Sequence, residues 1–351
     1  MTTPDSVCVM RLSAVGDVCH TVPVIRTLAA AWPKTRITWI IGRLEASLVG
    51  DIPGIEFIIF DKAQGRHAHR ELRRQLKGRR FDLFLHMQVS LRASIASLNV
   101  RADRRLGFDR QRARDYQWLF TNERIAHRER EHVMDGLFGF PEALGIHQRD
   151  LRWDIPVSEA DSAFAARHIP DHTPTLILSP LASPRLRNWR NWSLDRYAAV
   201  VDYAASKHGL KVILTGGPTD AEREAGEAIG ALCRLKPVNL IGQTSLKQLY
   251  ALLQRARVVV SPDSGPAHMA TAAGVPVIGL YATSNPGRTG PYFSQQRTVN
   301  RYPEALRQFS NTTVEAVRWG TRVRHPEAMA LITVADVTAK LDRLMMTFGK
   351  P

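Results

Sequence analysis

The sequence predicts an α/β protein built from two doubly wound, Rossmann-like halves, and three observations predict it. Short apolar runs alternate with longer amphipathic stretches from end to end, the pattern of a parallel sheet covered by helices on both faces. The alternation pauses at Ile169-Pro170-Asp171-His172-Thr173-Pro174 and then starts afresh, as expected where two prolines mark a domain junction. Finally, Ser261-Pro262-Asp263-Ser264-Gly265-Pro266-Ala267-His268 reads as a strand end turning sharply into a helix, with Gly265 permitting a tight backbone and Pro266 suited to a first helical turn.

In the first half, Val7 to Leu12, Arg36 to Ile41, Phe57 to Phe60 and Phe81 to Met87 read as buried strands, with helices over Val18 to Ala31 and Leu91 to Leu98. Glu159 to His168 reads as a further helix before the junction. In the second half the strands fall at Thr175 to Leu178, Lys211 to Thr215, Val238 to Ile241, Val258 to Ser261 and Val275 to Tyr281. The helices between them fall at Ser193 to Lys207, Asp220 to Leu235, Ser245 to Gln254 and Pro266 to Ala273. Ser193 and Ser245 suit N-caps and Gly209 a C-cap. The expected domains are therefore 1–170 and 171–332, with a capped amphipathic helix in 333–351 packing back on the first half. The two halves are expected to share one cleft, since in such folds ligands sit outside the carboxyl ends of the strands.

Length and composition agree with two soluble domains: 351 residues, 44% of them apolar and 23% charged. Cys8, Cys19 and Cys233 are odd in number and far apart, which speaks against a disulfide framework and for a reducing compartment, and none has metal-ligand spacing. Met1-Thr2-Thr3-Pro4-Asp5 does not open a secretory signal, and no run approaches the roughly 18 apolar residues of a membrane span. A cytoplasmic chain with at most peripheral membrane contact is expected. Lys and Arg exceed Asp and Glu by 48 − 33 = 15, with arginine crowded between residues 66 and 130. Such an excess points to an acidic partner, whether nucleic acid, an anionic membrane or a phosphorylated substrate, or else to plain solvated surface charge.

Four loops carry the candidate chemistry. Leu12 to Thr21 follows the first strand and opens the first helix; Gly16 stands alone, so this is no dinucleotide fingerprint. It places Asp17 on a first helical turn, where a carboxylate is held ionised. On spacing alone Asp17 reads equally as a cap or as a base that accepts a proton from a substrate hydroxyl. Ser179 to Ser193 follows the first strand of the second half with a hydroxyl at Ser183 and arginines at Arg185, Arg187 and Arg190. These suit a diphosphate, or a solvated basic loop anchored by Trp189 and Trp192. Gly216-Gly217-Pro218-Thr219-Asp220 is a weak phosphate signal. The Asp263 to His268 turn, with its sequel Tyr281 to Gly287, aims unpaired N–H groups and the positive end of a helix dipole at one point, the requirements of an anion site.

Together these residues resemble glycosyltransferase family 9, the ADP-heptose:lipopolysaccharide heptosyltransferases. The match rests on S-x-x-G-D-x-x-H-T-x-P at Ser13 to Pro23, D-S-G-x-x-H at Asp263 to His268, Y-x-T-x-x-P at Tyr281 to Pro286, and their spacing over nearly the whole chain. The resemblance implies a GT-B fold in which the first half takes the acceptor and the second the nucleotide sugar. It implies inverting transfer without a metal or other cofactor, with Asp17 as general base. Asp263, Ser264, Gly265 and His268 then meet the donor's diphosphate and sugar, Thr244 its adenine, and Ser183 with Arg187 or Arg190 its phosphates. The family's lysine in that last loop is replaced here by arginine, in two rival registers, Arg187-Asn188-Trp189 and Arg190-Asn191-Trp192; arginine keeps the charge and its fork suits a diphosphate.

On the acceptor side the resemblance points to Ser13, Gly16, His20, Arg92 and Arg112, toward a lipid-linked anionic glycan at the inner face of the inner membrane. Arg101, Arg104, Arg105, Arg110 and Arg114 belong to the same basic stretch. Three rival readings stay open: a GT-B-fold transferase with a different nucleotide sugar or acceptor, a non-hydrolysing sugar-nucleotide epimerase, which needs no acceptor, and a nucleic-acid-binding module. The last lacks any recognisable reader motif with exposed aromatics interleaved among the charges, so nucleic acid is not an expected partner.

Overall fold

The computed structural model describes residues 3–182 and 188–348. The chain divides into two compact units, Met1–Pro156 and Val157–Pro351, each with its own six-stranded parallel sheet.

The first unit runs β1 (Ser6–Met10), α1 (Val15–Ala31), β2 (Arg36–Gly42), α2 (Arg43–Val49), β3 (Ile55–Phe60), α3 (Arg66–Gln75), β4 (Phe81–His86), α4 (Leu91–Ser97), β5 (Ala102–Gly107), β6 (Glu123–Arg124) and α5 (Val133–Ala143). Its strand order is β3-β2-β1-β4-β5-β6. Val9 lies between Trp39 of β2 and Leu85 of β4, so β1 is central and its order reverses against β4. Cys8 and Met10 face a core completed by Leu72 of α3 and by Ala93 and Ala96 of α4. The alternate residues Val7 and Val9 are equally buried, which is why the strand reads as an unbroken apolar run.

The second unit runs α6 (Glu159–His168), β7 (Thr175–Leu178), α7 (Leu194–His208), β8 (Lys211–Leu214), α8 (Asp220–Leu232), β9 (Val238–Asn239), α9 (Leu246–Arg255), β10 (Val258–Pro262), α10 (Gly265–Ala272), β11 (Val277–Tyr281), α11 (Pro286–Thr289), β12 (Val299–Asn300), α12 (Tyr302–Ser310) and α13 (Val334–Thr347). Read from the far edge its order is β9-β8-β7-β10-β11-β12, the same threading as in the first unit, with the reversal between β7 and β10. This is the doubly wound α/β architecture expected from the alternation.

Several boundaries move. Helix α6 falls in the second unit, although the proline junction follows it. It packs on α9, and the connection beyond it is tied down where Arg255 Nε donates to the Ile169 carbonyl at 2.7 Å and Lys211 Nζ to that of His168 at 2.6 Å. The terminal helix, expected to return to the first half, is built into the second unit. Val337, Leu341 and Leu344 of α13 enter its core with Leu178, Val201 and Leu280, and Asp342 accepts from Tyr203, Lys207 and His208 of α7. Thr333 and Asp336 cap α13 reciprocally, Ser245 and Gln248 cap α9, and Gly209 ends α7 at a φ of 62°. Ser193 occupies the N-cap of α7 without a side-chain capping bond. Strand β5 went unread because its middle carries Asp103, Arg104 and Arg105, the first two held by Arg80 and Glu123. No described helix is long and apolar enough to cross a membrane.

Candidate functional site

In the first unit the carboxyl ends of β1 and β4 meet at the point where the strand order reverses. Residues Arg11–Ala14 leave β1 there and are fastened from both sides. Leu12 N and Ser13 N donate to Gln88 Oε1 at 3.1 and 3.3 Å, Gly42 N donates to the Leu12 carbonyl at 3.0 Å, and Trp39 Nε1 to that of Arg11 at 3.2 Å. Arg11 then bridges: Nη1 donates to the Met87 carbonyl at 2.5 Å while Nη2 pairs with Asp17 Oδ2 at 2.7 Å. Asp17 sits on the first turn of α1, its Oδ2 also accepting from Ala14 N at 3.2 Å. It therefore does act as a cap, yet its side chain remains 39% exposed against 12% for Arg11. A capped, ion-paired carboxylate with an open side is a fixed acceptor for an incoming proton.

Around Asp17, Gly16 is buried and Ser13 half-buried. His20, one turn on, is 2% exposed and meets His132 edge to face at 5.4 Å. Glu45 escaped the sequence reading. Glu45, on the first turn of α2, is 5% exposed; burial pushes its carboxyl up, and the Asp17 charge pushes in the same direction. Its Oε2 and the Leu12 carbonyl fill the space a Gly42 side chain would need. The signal was the strand-end Gly42 followed three residues later by an acid, a pattern that periodicity does not weigh.

The basic stretch divides in two. Arg92 is exposed at the start of α4. Arg112, expected at the acceptor, spends its guanidinium on Asp109, Glu131 and the Ala126 carbonyl. Arg105 likewise bonds the carbonyls of Phe120, Val100 and Ser97 and lies 4.6 Å over the Phe84 ring, and Arg104 is forked on Glu123. Arg105 and Arg112 brace the unit from within, and Arg104 pairs at its surface.

In the second unit the corresponding reversal lies between β7 and β10, and the strand ends carry hydroxyls. Ser179 and Thr215 are paired at 2.7 Å, and Ser261 and Ser264 at 2.8 Å. Ser264 is the N-cap of α10, but its hydroxyl is engaged by Ser261 and makes no capping bond to the helix. The first N–H groups of α10, unclaimed by this cap, are the donors an anion needs. Asp263 and His268 are 6% and 8% exposed. Of the two arginines, Arg190 lies within the described residues: its Nη1 donates to the Asp263 carbonyl at 2.6 Å, and its backbone N and Nε to Asn188 Oδ1. A guanidinium thus lies against the turn that opens α10. Ser183 and Arg187 lie outside the described residues.

Neighbouring loops complete this edge. Thr244 is half-buried between Gly242, at a φ of 74°, and the N-cap Ser245; Gly242 N donates to the Gly216 carbonyl at 3.1 Å. Gly217 N donates to Glu222 Oε1 at 2.9 Å, so the Gly216 to Asp220 loop is tied to the start of α8. Burial raises the Tyr281 phenol well above its ordinary range, with Asp263 adding to it, and Asn285 caps α11 by accepting from Gly287 N at 2.9 Å. Ser284, also unread from sequence as a site residue, is 4% exposed with a hydroxyl that has no partner among the described residues. Cavities of about 370 Å³ by Pro170 and Arg255 and about 680 Å³ by Trp32 and Ile146 belong to neither set of strand ends.

The sequence pattern of glycosyltransferase family 9 (heptosyltransferase) matches residues 69–317. The chain is 40% identical over 342 residues, 97% of each chain, to the lipopolysaccharide core heptosyltransferase OpsX of Haemophilus influenzae. Its fold is similar to the crystal structure of a family 9 glycosyltransferase from Veillonella parvula, with a TM-score of 0.78 at 22% identity over 98% of this chain and 97% of that one. The E. coli heptosyltransferase WaaC with ADP gives 0.73 at 17% identity, over 97% and 99%.

Proposed function

The chain belongs to glycosyltransferase family 9 and is a glycosyltransferase; from that premise we propose that it moves a heptose from ADP-heptose to the inner core, Kdo or heptose, of lipopolysaccharide. The observation that carries the donor side is Arg190 seated on the Asp263 carbonyl, a cation joined to a helix N-terminus at a sheet's reversal point, which is a site for a diphosphate. The core-heptosyltransferase relative supports the sugar and the acceptor class.

In this reading Asp17 accepts the proton of an acceptor hydroxyl as that oxygen attacks the anomeric carbon. The bond from that carbon to the diphosphate breaks, ADP leaves, and the configuration inverts. Charge growing on the leaving diphosphate is met by the α10 N–H groups and Arg190, placed where the charge develops. Asp263, Ser264, Gly265 and His268 hold the donor's diphosphate and sugar, and Thr244 its adenine; Ser183 and Arg187 belong to the same proposal but fall outside the described residues. Ser13, Gly16, His20 and Arg92 belong to the acceptor side. Arg112 leaves it, its guanidinium already being engaged by Asp109 and Glu131. The acceptor is lipid-linked and anionic, reached by peripheral contact with the cytoplasmic face of the inner membrane, and the transfer is independent of a metal.

The test is an assay with ADP-heptose and a Kdo-terminated lipid acceptor in the presence of EDTA. Release of ADP together with a heptosylated acceptor of inverted anomeric configuration is expected. Conversion of ADP-heptose without any acceptor would point to an epimerase instead, and a preference for UDP- or GDP-sugars would overturn the donor.

A further inference from the structure

One face of the first unit exposes apolar side chains in an ordered way. Leu91, Ile95 and Leu98 recur at helical spacing along α4 and its C-cap and are 49%, 45% and 67% exposed, while Ala93, Ser94, Ala96 and Ser97 of the same helix are buried. Beside them the short 3-10 turn Gln117–Leu119 is plugged into the unit by Gln117. That fully buried amide donates to the carbonyls of His86 and Gln88 at 2.8 and 3.2 Å and accepts from Phe108 N at 3.2 Å. With Gln117 inward, Tyr116, Trp118 and Leu119 are held outward at 66%, 37% and 64% exposure.

The two segments lie side by side. Leu91 N donates to Asp115 Oδ2 at 3.2 Å at one end of α4, and at the other Arg105 joins the Ser97 and Val100 carbonyls to that of Phe120. Large apolar side chains exposed together on two neighbouring segments mark an interaction site. Its occupant is indicated by charge: Arg92, Arg110 and Arg114 are exposed around it, and no ion pair joins them to an acid among the described residues. The apolar segments also hang on the β4–α4 connection, whose Gln88 buttresses the Asp17 loop.

We propose that this face docks on an anionic bilayer: Leu91, Ile95, Leu98 and Leu119 enter the headgroup–acyl boundary, Tyr116 and Trp118 lie at headgroup level, and the arginines meet lipid phosphates. The purpose of docking rests on the proposed lipid-linked acceptor; the docking itself does not. It would hold the Asp17 end of the first sheet near the membrane surface.

The test is co-sedimentation of the full chain with phosphatidylglycerol-containing vesicles and with pure phosphatidylcholine vesicles, alongside Leu98→Asp/Trp118→Asp and Arg110→Ser/Arg114→Ser variants. Binding selective for the anionic vesicles and weakened by salt is expected, and each double variant should weaken it about tenfold or more. Thermal midpoint and turnover on a water-soluble truncated acceptor should be unchanged, which establishes that both variants fold. Variants that bind like wild type, equal binding to phosphatidylcholine, or a wild-type dimer made monomeric by the variants with vesicle binding intact would each overturn the proposal. Loss of vesicle binding in variants of a chain inactive on every lipid-linked acceptor would leave the docking standing and remove the proposed acceptor.

Discussion

The two units thread their strands in the same order but use opposite sides of the reversal point. In the first, the chemistry-bearing turn follows the central strand β1 and presents a carboxylate, Asp17, paired with Arg11 and 39% exposed. In the second, it follows β10 across the reversal and presents a helix N-terminus whose carboxylate, Asp263, is 6% exposed, with Arg190 on its carbonyl. One strand end thus leaves its carboxylate partly open to solvent, while the other buries its own beside a helix N-terminus. The same topology therefore carries two different electrostatic settings, and the difference lies in which loop carries the short turn.

The sharpest way to break this contrast is at Asp17. Asp17→Asn keeps the size of the side chain and removes the base, and transfer should fall by roughly a hundredfold or more, the scale of general base catalysis, while ADP-sugar affinity measured by calorimetry stays within about twofold of wild type. Unimpaired transfer would return Asp17 to the role of a cap alone. The second unit should respond in the other sense. Arg190→Ala should weaken donor binding by about ten- to a hundredfold, as losing a charge-assisted contact of about 1.5–3 kcal/mol does, and Arg190→Lys should recover part of it. An unchanged donor KM in Arg190→Ala would shift the diphosphate role to the loop before it.

A smaller effect separates the units by pH. His86 ends β4 beneath the Asp17 loop; burial, reinforced by the Arg105 charge, holds its imidazole down at about 3. Folded protein therefore keeps His86 neutral where the unfolded chain takes up a proton, below about 6.5. The stability is complete above that pH and declines as pH falls from 6.5 toward 3, by on the order of 1 kcal/mol per pH unit at most. His86→Leu should flatten that part of the urea-midpoint profile between pH 7.5 and 5, and parallel profiles for variant and wild type would contradict it. The end of β10, where the second unit carries Ser261 and Pro262, has no such group.

Much of this was readable in the chain because it is local. Val258 to Val260 must be buried, Gly265 and Pro266 must turn and start a helix, and Ser245 with Gln248 or Thr333 with Asp336 must cap one, whatever lies elsewhere. The Asp17 and Asp263 loops were legible for the same reason, each being a strand, a turn and a helix within a dozen residues. Glu45 and Ser284 were not, because burial gives them their interest and no spacing encodes it.

Local sequence was thus enough for the kind of fold and the two turns that carry charge, whereas the expected boundary near Pro170 gave way to one at Val157. Long-range packing was needed to bring Arg190 to Asp263, to join α6 and α13 to the second unit, and to turn Arg105 and Arg112 inward in the first one while Leu91, Ile95 and Leu98 are left outside. Each of these joins residues far apart in the chain, or sorts identical residue types into buried and exposed. Hydrophobic period and turn chemistry act over a few residues, and such choices are made by the packing that follows.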